Sequence, residues 1–123
     1  SGTNEKSVST AKEYAAIFLA SIKNTSLKTA LNKKRYSYTE LYDLDEKPDH
    51  SDIHTNELLT KDGLPFIIRA SKTGYLPETG GNLAMLIERK TDKKKFVIVT
   101  LGNMEKNRFD APENLARWAM NKF

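Results

Sequence analysis

The sequence predicts an α+β fold in which helices pack on an antiparallel sheet. Apolar residues recur at helical spacing between residues 9 and 22, which is typical of a helix with one buried face. Two apolar segments, 82–89 and 95–101, flank the polar turn Thr91-Asp92-Lys93, which indicates a β-hairpin. Near the end, Asp110 and Pro112 begin another amphipathic pattern, which is typical of a closing helix.

Length and composition limit the class of protein. A chain of 123 residues suits one domain, and 38% hydrophobic with 29% charged residues is typical of a polar globular protein. The net charge of +4 is mild and most lysines alternate with carboxylates, so we expect no nucleic-acid partner. The absence of cysteine excludes disulfides and zinc–thiolate sites. No apolar run reaches 18 residues, so no membrane-spanning segment is expected, and no cofactor or metal is expected.

The first helix is predicted from its cap and its apolar face. Thr10 and Glu13 have the spacing of a capping box. The predicted buried face consists of residues spaced by three and four, namely Tyr14, Ile17, Phe18 and Ile22. Asn24 is expected to end this helix, and a second, shorter helix is expected over residues 26–33.

A strand is predicted next, followed by a loop that contains both histidines. Residues 35–42 alternate and include three tyrosines, which favours a strand, whereas residues 43–51 are acidic and polar and include Pro48. His50 and His54, with Asp49 and Asp52 nearby, could be metal ligands, but we interpret both histidines as solvated loop residues.

The segment that carries candidate chemistry follows an apolar run. Residues 66–68 read as a strand that ends at Lys72-Thr73-Gly74. An ammonium and a hydroxyl can bind an anion there, and a glycine lets a ligand lie against the backbone. The alternative is a solvated lysine at the end of a strand.

Two strands and a helix complete the chain. Residues 82–89 form one strand, and residues 95–101 are almost continuously apolar, which is typical of a strand covered on both faces. Asp110 is expected to cap the last helix, whose apolar stripe is predicted to consist of Leu115, Trp118 and Ala119.

Four segments together resemble one enzyme family. The segment from Ser71 to Leu83, with Lys72-Thr73-Gly74-Tyr75, Glu78 and Gly80, resembles the Lys-Thr-Gly segment of the serine-type D-Ala-D-Ala carboxypeptidases, the low-molecular-mass penicillin-binding proteins. In that family Thr stands where this chain has Leu76, and Ala where it has Thr79. The other three similar segments begin at Ser9 (Ser-Thr-Ala-Lys-Glu-Tyr-Ala), Thr55 (Thr-Asn-Glu-Leu-Leu) and Arg108 (Arg-Phe-Asp-Ala, with Leu115 and Trp118).

The resemblance implies a role for each residue of the Lys-Thr-Gly segment. Lys72 and Thr73 would hold the terminal carboxylate of a D-Ala-D-Ala stem peptide of peptidoglycan, or of a β-lactam. Gly74 would lie against the substrate, and the backbone N–H of Tyr75 would be one donor of the oxyanion hole. The strand would pair with the extended peptide. Because side chains alternate along a strand, Lys72 and Thr73 are predicted on opposite faces, so their joint role follows from the resemblance alone.

Two further motifs of the family, Ser-x-x-Lys and Ser-x-Asn, decide what the chain can do. Ser-x-Asn does not occur in the 123 residues, and Ser-x-x-Lys occurs only at Ser9 and Lys12. A serine and a lysine at this spacing can form an activated nucleophile. We interpret the pair instead as a cap serine and a solvated lysine, that is, a decoy, and expect no catalytic residue in this chain.

The resemblance therefore implies that residues 1–123 are a single partial domain, the C-terminal half of a carboxypeptidase catalytic domain with a β-lactamase/transpeptidase-like fold. The chain would be inactive without the N-terminal half. The alternatives are a stand-alone, non-catalytic module that binds peptidoglycan peptides, and a rebuilt nucleophile at Ser9 and Lys12.

The family also implies a sheet order and a location. The strands ending at Lys72, over 82–89 and over 95–101 would form an antiparallel meander beside one additional strand. The third strand would lack its partner from the other half, so a homo-oligomer through the edge from Phe96 to Leu101 is expected. The resemblance places the protein outside the cytoplasm, in a bacterial cell envelope.

Overall fold

The computed structural model of the chain describes residues 8–38, 50–104 and 107–123. Within these ranges the protein is α+β, as predicted, with three α-helices and two antiparallel sheets of two and three strands. Two helices come first, the small sheet follows, and the three strands of the larger sheet precede the last helix. None of the helices in the described ranges is long and apolar enough to cross a membrane.

Helix α1 (Ala11–Ser21) begins with the predicted capping box. The Thr10 hydroxyl accepts a hydrogen bond from the Glu13 N–H at 3.2 Å, and the Glu13 carboxylate accepts one from the Thr10 N–H at 2.9 Å. Hydrogen bonds from the backbone and hydroxyl of Thr10 hold the pKa of Glu13 below its ordinary value. The cap confirms where the sequence places the start of the helix.

The buried face of α1 is narrower than predicted. Phe18 is buried, and Tyr14 and Ile22 are half-buried beside it, so these three residues were predicted correctly. Ile17 was predicted on the same face, but it is 62% exposed. Residues spaced by four stay on one line of a helix, whereas Ile17 is rotated by about 100° from Phe18. Only the residues spaced by four, Tyr14, Phe18 and Ile22, pack in the apolar cluster of the sheet.

Helix α2 (Thr25–Ala30) is shorter than predicted. Helix α1 ends at Ser21 with Ile22 as its C-cap, so Asn24 does not end it as predicted; Asn24 caps α2 instead, because its Oδ1 accepts a hydrogen bond from the Leu27 N–H at 3.1 Å. The helix stops at Ala30, three residues before the predicted end.

The predicted additional strand forms a sheet of its own. Strand β1 (Arg35–Tyr38) confirms the first half of the prediction over 35–42, and residues 39–49 lie outside the described residues. The loop prediction over 43–51 is wrong at His50 and Ser51, which belong to β2 (His50–Ile53). Strand β2 pairs antiparallel with β1, and the two form a separate two-stranded sheet.

The predicted antiparallel meander is present, with longer strands than expected. It consists of β3 (Phe66–Leu76), β4 (Gly80–Arg89) and β5 (Lys95–Asn103) in the order β3-β4-β5. Strand β3 does not end at the Lys-Thr-Gly triplet, because Tyr75 and Leu76 still pair with Gly81 and Gly80. The predicted turn at 91–93 joins β4 to β5.

A β-bulge at Arg69 divides β3 into two halves. Ile68 pairs with Ile87, but Ala70 pairs with Leu86, so Arg69 is an extra residue without a partner in the register. Its guanidinium donates to both carboxylate oxygens of Glu88, at 2.8 and 3.3 Å. This hydrogen bonding holds the pKa of the Glu88 carboxyl below its ordinary value. The bulge changes which face each later side chain of β3 occupies.

The larger sheet has an apolar cluster on each face. On the α3 side the buried residues come from all three strands, the last helix and residues 58–64: Leu58, Leu64, Phe66, Ile68, Leu83, Met85, Ile87, Ile98, Ala116, Ala119 and Met120. On the α1 side they are Phe18, Ala70, Ala84 and Leu86. Both faces of β5 therefore carry a helix, as its continuous apolar sequence predicted.

The last helix, α3 (Asp110–Lys122), packs through a different face from the predicted stripe. Ala119 is buried as predicted, but Leu115 is 36% and Trp118 is 56% exposed. The helix buries Ala116 and Met120 beside Ala119, and all three belong to the apolar cluster on the α3 side. Asp110 is its first helical residue and makes no side-chain cap, so that prediction was also wrong.

A buried carboxylate ties α3 to residues 57–61. The side chain of Glu113 is only 8% exposed and accepts from Lys61 Nζ at 2.6 Å and from Arg117 Nη2 at 2.8 Å. The Lys61 ammonium, followed by the Arg117 guanidinium, lowers the pKa of Glu113 against the opposing effect of its burial.

Strand β5 is the outer strand of the larger sheet among the described residues. Its outward N–H and C=O groups are therefore a template for another chain. We expect the protein to form dimers or larger oligomers through the edge from Phe96 to Leu101, as size-exclusion chromatography with light scattering would measure. Val97→Pro should favour the monomer, because proline cannot donate a hydrogen bond in a strand. A concentrated monomer with slowly exchanging amides along β5 would contradict this prediction.

Candidate functional site

A cleft of about 280 Å³ opens where β3 and β4 leave the core. All four predicted site residues line it, and so do five others from β4, the chain after β2 and the segment before α3. The complete lining is Lys72, Thr73, Gly74, Tyr75, Thr55, Gly81, Asn82, Arg108 and Phe109. The fold thus brings together three of the segments that carry the family resemblance.

The cleft includes the outer edge of β3, and the backbone there points away from β4. The N–H of Ser71 donates to Leu31 O at 2.9 Å, and its C=O lies 3.3 Å from His54 Nε2, so both groups face outwards. The register is regular from Ala70 to Leu76, and alternate residues of a strand direct their backbone groups to the same side. The N–H and C=O groups of Thr73 and Tyr75 therefore face the outer edge as well.

Lys72 and Thr73 lie on opposite faces of the sheet, as alternation predicted. Thr73 pairs with Leu83 of the α3 side, whereas Lys72 pairs with Ala84 of the α1 side. The Lys72 side chain nevertheless bends back over the edge, because its Nζ donates to Thr73 O. Its ammonium therefore lies at the same edge as the Thr73 backbone, and both can face one ligand.

The segment after β2 runs beside the outer edge of β3. The Thr55 hydroxyl is hydrogen-bonded to the Thr73 hydroxyl. His54 Nδ1 accepts from the Asn56 N–H at 3.1 Å, so the neutral ring carries its proton on Nε2 and can donate it to Ser71 O. When Thr55 donates to Thr73 Oγ1, the Thr73 proton is directed to a third group, such as a ligand.

The interpretation of both histidines as solvated loop residues is right only in part: His54 lies in a loop but is half-buried, and His50 belongs to β2. His54 is half-buried between two backbone groups, and His50 stacks on Tyr38 with ring centroids 5.0 Å apart. Among the residues that the structure describes, no group of three or more His, Asp or Glu side chains is placed to hold a metal ion.

Arg108 adds a second cation to the cleft. Its guanidinium carbon lies 5.7 Å from the centroid of the Tyr75 ring and 4.7 Å from that of Phe109, so two aromatic rings hold it. Its Cβ lies against Gly81, where an added Cβ would come within 2.8 Å of it. Gly81 is therefore needed for space, because a larger residue would push Arg108 out of the cleft.

Ser9 and Lys12 do not belong to the cleft. Both are exposed, and the Ser9 hydroxyl donates to Thr10 O at 3.2 Å. The contacts of α1 with the sheet lie mainly on β5 and β4, whereas the cleft lies at the outer edge of β3. The interpretation of this pair as a decoy stays a prediction.

Sequence reasoning did not assign Arg108, Thr55, Asn82 or Phe109 to the site. Arg108 and Thr55 served only as landmarks of the resemblance. The Gly80-Gly81 pair was a usable signal, because consecutive glycines in a strand often mark a close approach of other atoms. Asn82 is oriented from β5, since its Oδ1 accepts from the Gly102 N–H at 2.9 Å, and no local pattern reveals that bond.

The cleft combines two cations, a hydroxyl and an outward-facing strand edge. Ammonium and guanidinium groups bind carboxylates by charge-assisted hydrogen bonds, and Arg can do so with two parallel bonds. A strand edge binds extended peptides through backbone hydrogen bonds. The arrangement is therefore chemically suited to the carboxylate end of an extended peptide.

No protein-family model matches the chain, no curated protein matches it, and no solved structure matches its fold.

Proposed function

We propose that the chain is the C-terminal part of the catalytic domain of a serine-type D-Ala-D-Ala carboxypeptidase and supplies its substrate-binding strand. The observation that carries the proposal is the convergence of Lys72, Thr73, Tyr75 and Arg108 on one cleft at the outer edge of β3. The enzyme would act on stem peptides of peptidoglycan outside the cytoplasm, and the complete domain would have a transpeptidase-like fold.

The site would bind the peptide in three ways. The terminal carboxylate would lie between Lys72 and Arg108, with the Thr73 hydroxyl as a further donor. The peptide backbone would pair with the outward N–H and C=O groups of Thr73 and Tyr75. The Tyr75 N–H would then point at the carbonyl oxygen of the bond to be cleaved, where negative charge develops during attack. The attacking serine would come from the N-terminal half.

Lys72 should dominate peptide binding by the isolated chain. We expect Lys72→Ala to weaken binding of diacetyl-L-Lys-D-Ala-D-Ala about tenfold, or about 1.4 kcal/mol, because an exposed charge-assisted contact is lost. Lys12→Ala removes another exposed lysine, which lies outside the cleft, and is the matched control. Titration followed by amide chemical shifts gives the dissociation constants, and the shifts should map to residues 72–75. Equal affinity of Lys72→Ala and the parent would contradict the anion site.

The carboxylate and the backbone contacts can be tested separately. The amidated peptide lacks the carboxylate, and Lys72→Ala lacks the ammonium, so each change removes one partner of the same ion pair. The amidated peptide should therefore bind the parent about as weakly as the peptide with a free carboxylate binds Lys72→Ala. If acid and amide bind equally well while residues 72–75 still shift, the strand edge binds peptides and the carboxylate role is wrong.

We expect no covalent adduct when the chain is incubated with a penicillin. The sequence contains no Ser-x-Asn, and its one Ser-x-x-Lys pair does not line the cleft. Loss of the nucleophile removes acylation even where binding remains. Intact-mass spectrometry measures this directly. A stoichiometric acyl adduct that disappears in Ser9→Ala would instead establish Ser9 as a nucleophile.

Supplying the other half separates the proposal from its alternative, a non-catalytic module that binds peptidoglycan peptides. A polypeptide that carries Ser-x-x-Lys and Ser-x-Asn from a carboxypeptidase would be co-expressed with this chain. Release of D-alanine that depends on Lys72 is the expected result. Unchanged stem-peptide binding without any such activity would favour the module.

A further inference from the structure

The outer edge of β3 is closed at Ser71, the residue before the cleft begins. Ser71 is fully buried, whereas Lys72, the first residue of β3 that lines the cleft, is exposed. Both outward backbone groups of Ser71 are engaged: its N–H donates to Leu31 O at 2.9 Å, and its C=O lies 3.3 Å from His54 Nε2. A peptide that pairs with the edge of β3 therefore finds no available backbone group at this position.

Leu31 closes this position from the end of α2. It is the C-cap residue of that helix, and its side chain is half-buried against the apolar cluster on the α1 side. The last carbonyl groups of a helix have no partner within the helix, and here one of them accepts from the N–H of Ser71. Side chain and backbone thus hold Leu31 in the same place, so its contact with β3 is part of the packed structure.

His54 closes the same position from the end of β2, and three hydrogen bonds hold it there. Its backbone N–H donates to Lys34 O at 2.9 Å, which continues the pairing of β1 with β2. Its Nδ1 accepts from the Asn56 N–H at 3.1 Å, so Nε2 carries the proton that Ser71 O accepts. Asn56 is itself buried, and its Oδ1 accepts from the Leu58 N–H at 3.1 Å. The imidazole is therefore a fixed part of the edge of β3.

A strand edge that is open along its whole length does not determine the register of a bound peptide. Outward backbone groups recur at every second residue, so a peptide can pair in registers that differ by two residues, or about 6.8 Å along the strand. A shift of that length would move the bond to be cleaved away from the Tyr75 N–H. Closure at Ser71 removes the register in which the peptide is shifted from Thr73 toward Ser71.

We infer that His54 is a positioning residue that fixes the register of the bound peptide, and this inference rests on the strand pairing in the proposed function. With its carboxylate at Lys72 and the carbonyl of the cleaved bond at Tyr75, the peptide runs antiparallel to β3. Its C-terminus then points toward Ser71. The C=O of a residue lies on its C-terminal side, so a peptide that extends from Tyr75 meets the His54 ring before it meets Leu31. The peptide therefore ends at Lys72, and His54 excludes ligands that continue beyond this point.

The test compares two amidated peptides, because without a carboxylate they report on the strand edge alone. One is diacetyl-L-Lys-D-Ala-D-Ala amide, and the other carries two glycines before the amide, which add about 6.8 Å, the distance along β3 from Thr73 to Ser71. Titration followed by amide chemical shifts gives both dissociation constants. We expect the parent to bind the extended peptide at least about fivefold more weakly, the effect of about one hydrogen bond, and the shifts to end at Lys72.

Three variants separate positioning from structural support. His54→Ala removes the ring from the path of the peptide and frees Ser71 O, so the two affinities should differ by less than about twofold and the Ser71 amide should shift with the extended peptide. His54→Gln should restore the preference of the parent, because its side-chain amide offers an acceptor and a donor to the same two partners. His50→Ala replaces the other histidine, which pairs with Tyr38 in the small sheet, and should leave the preference unchanged. Because the readout is a ratio within each variant, partial unfolding lowers both affinities equally and does not alter it.

If His54→Ala fails to fold by circular dichroism, His54→Ser opens the edge in the same way and keeps a hydroxyl that can accept from the Asn56 N–H.

Three results would overturn the inference. Equal affinity of the parent for both amidated peptides would show that the edge is not closed at Ser71, and an unchanged preference in His54→Ala would assign the closure to Leu31 alone. Binding of only the peptide with a free carboxylate would show that the edge does not pair with peptides. The first two results leave the proposed function intact, whereas failure of the parent to bind any of the three peptides at residues 72–75 would contradict the proposed function as well.

Discussion

Gly80→Ala is expected to lower the free energy of unfolding by about 3 kcal/mol, from positive-φ strain and a backbone clash together. Gly80 has φ +75°, a conformation that alanine adopts only at a cost. An added Cβ would also lie 2.8 Å from Asn103 O and 3.0 Å from Gly102 C, which are backbone atoms of β5. Neither strand can move away without disturbing the β4–β5 pairing that holds the cleft. Urea unfolding at neutral pH measures the loss.

Gly63→Ala is the matched control for this substitution. Gly63 has almost the same φ, +74°, but no heavy atom lies within 4 Å of the position of an added Cβ. It should therefore cost only the conformational strain, about 1 kcal/mol. The difference between the two variants isolates the close approach of β4 to β5. Equal losses would mean that β5 does not pass over Gly80 as described.

Glu113→Gln is expected to cost about 2 kcal/mol at pH 7, because a buried carboxylate loses its ion pairs with two half-exposed cations. The pKa of Glu113 is lowered in the folded protein, so its charge stabilises the fold at pH values above the ordinary carboxyl range. That contribution is lost as the pH falls through the folded-state pKa. The stability difference between parent and variant should therefore shrink steadily below about pH 4.

The comparison needs a carboxylate that is not buried. Glu78, in the exposed β3–β4 turn, forms no ion pair among the described residues, and Glu78→Gln should change the unfolding free energy by less than about 0.5 kcal/mol at either pH. Denaturant unfolding at pH 7 and pH 3 provides all the values. A Glu113→Gln effect that is the same at both pH values would show that packing, rather than charge, explains it.

Local signals in the sequence predicted the three helices and the strands of the larger sheet, whereas the order of those strands was expected only from the family resemblance. The capping box of Thr10 and Glu13 placed the start of α1, and the apolar run at 95–101 identified a strand covered on both faces. The ends of strands were less predictable, because Tyr75 and Leu76 stay in β3 only through pairing with Gly81 and Gly80. That pairing depends on residues of β4, so the local sequence of β3 does not indicate it.

The errors in α3 and around the histidines have the same origin. Leu115 and Trp118 are large apolar residues, yet the buried face of their helix consists of Ala116, Ala119 and Met120, beside Glu113 with its two cations. His54 contacts Ser71, which is 17 residues away in sequence. The Lys72–Tyr75 segment could be read from the sequence, but Arg108 enters the cleft from a distant segment that only the fold places there.

The bulge at Arg69 divides β3 into two phases, that is, two stretches in which residues of opposite parity face α3. Before it, even-numbered residues such as Ile68 face α3; after it, odd-numbered residues such as Ser71 and Thr73 do. Side chains before the bulge can therefore be substituted to suit the core, and side chains after it to suit a ligand, without a change in one half altering the faces of the other. Deletion of Arg69 would remove the bulge and leave Lys72 and Thr73 on their present faces, because Ile68 and Ala70 already lie on opposite faces. Pairing of the full sequence without a bulge would instead exchange Lys72 with Thr73 between the faces. One unpaired residue therefore determines which way the cleft is presented, although it lies outside the cleft.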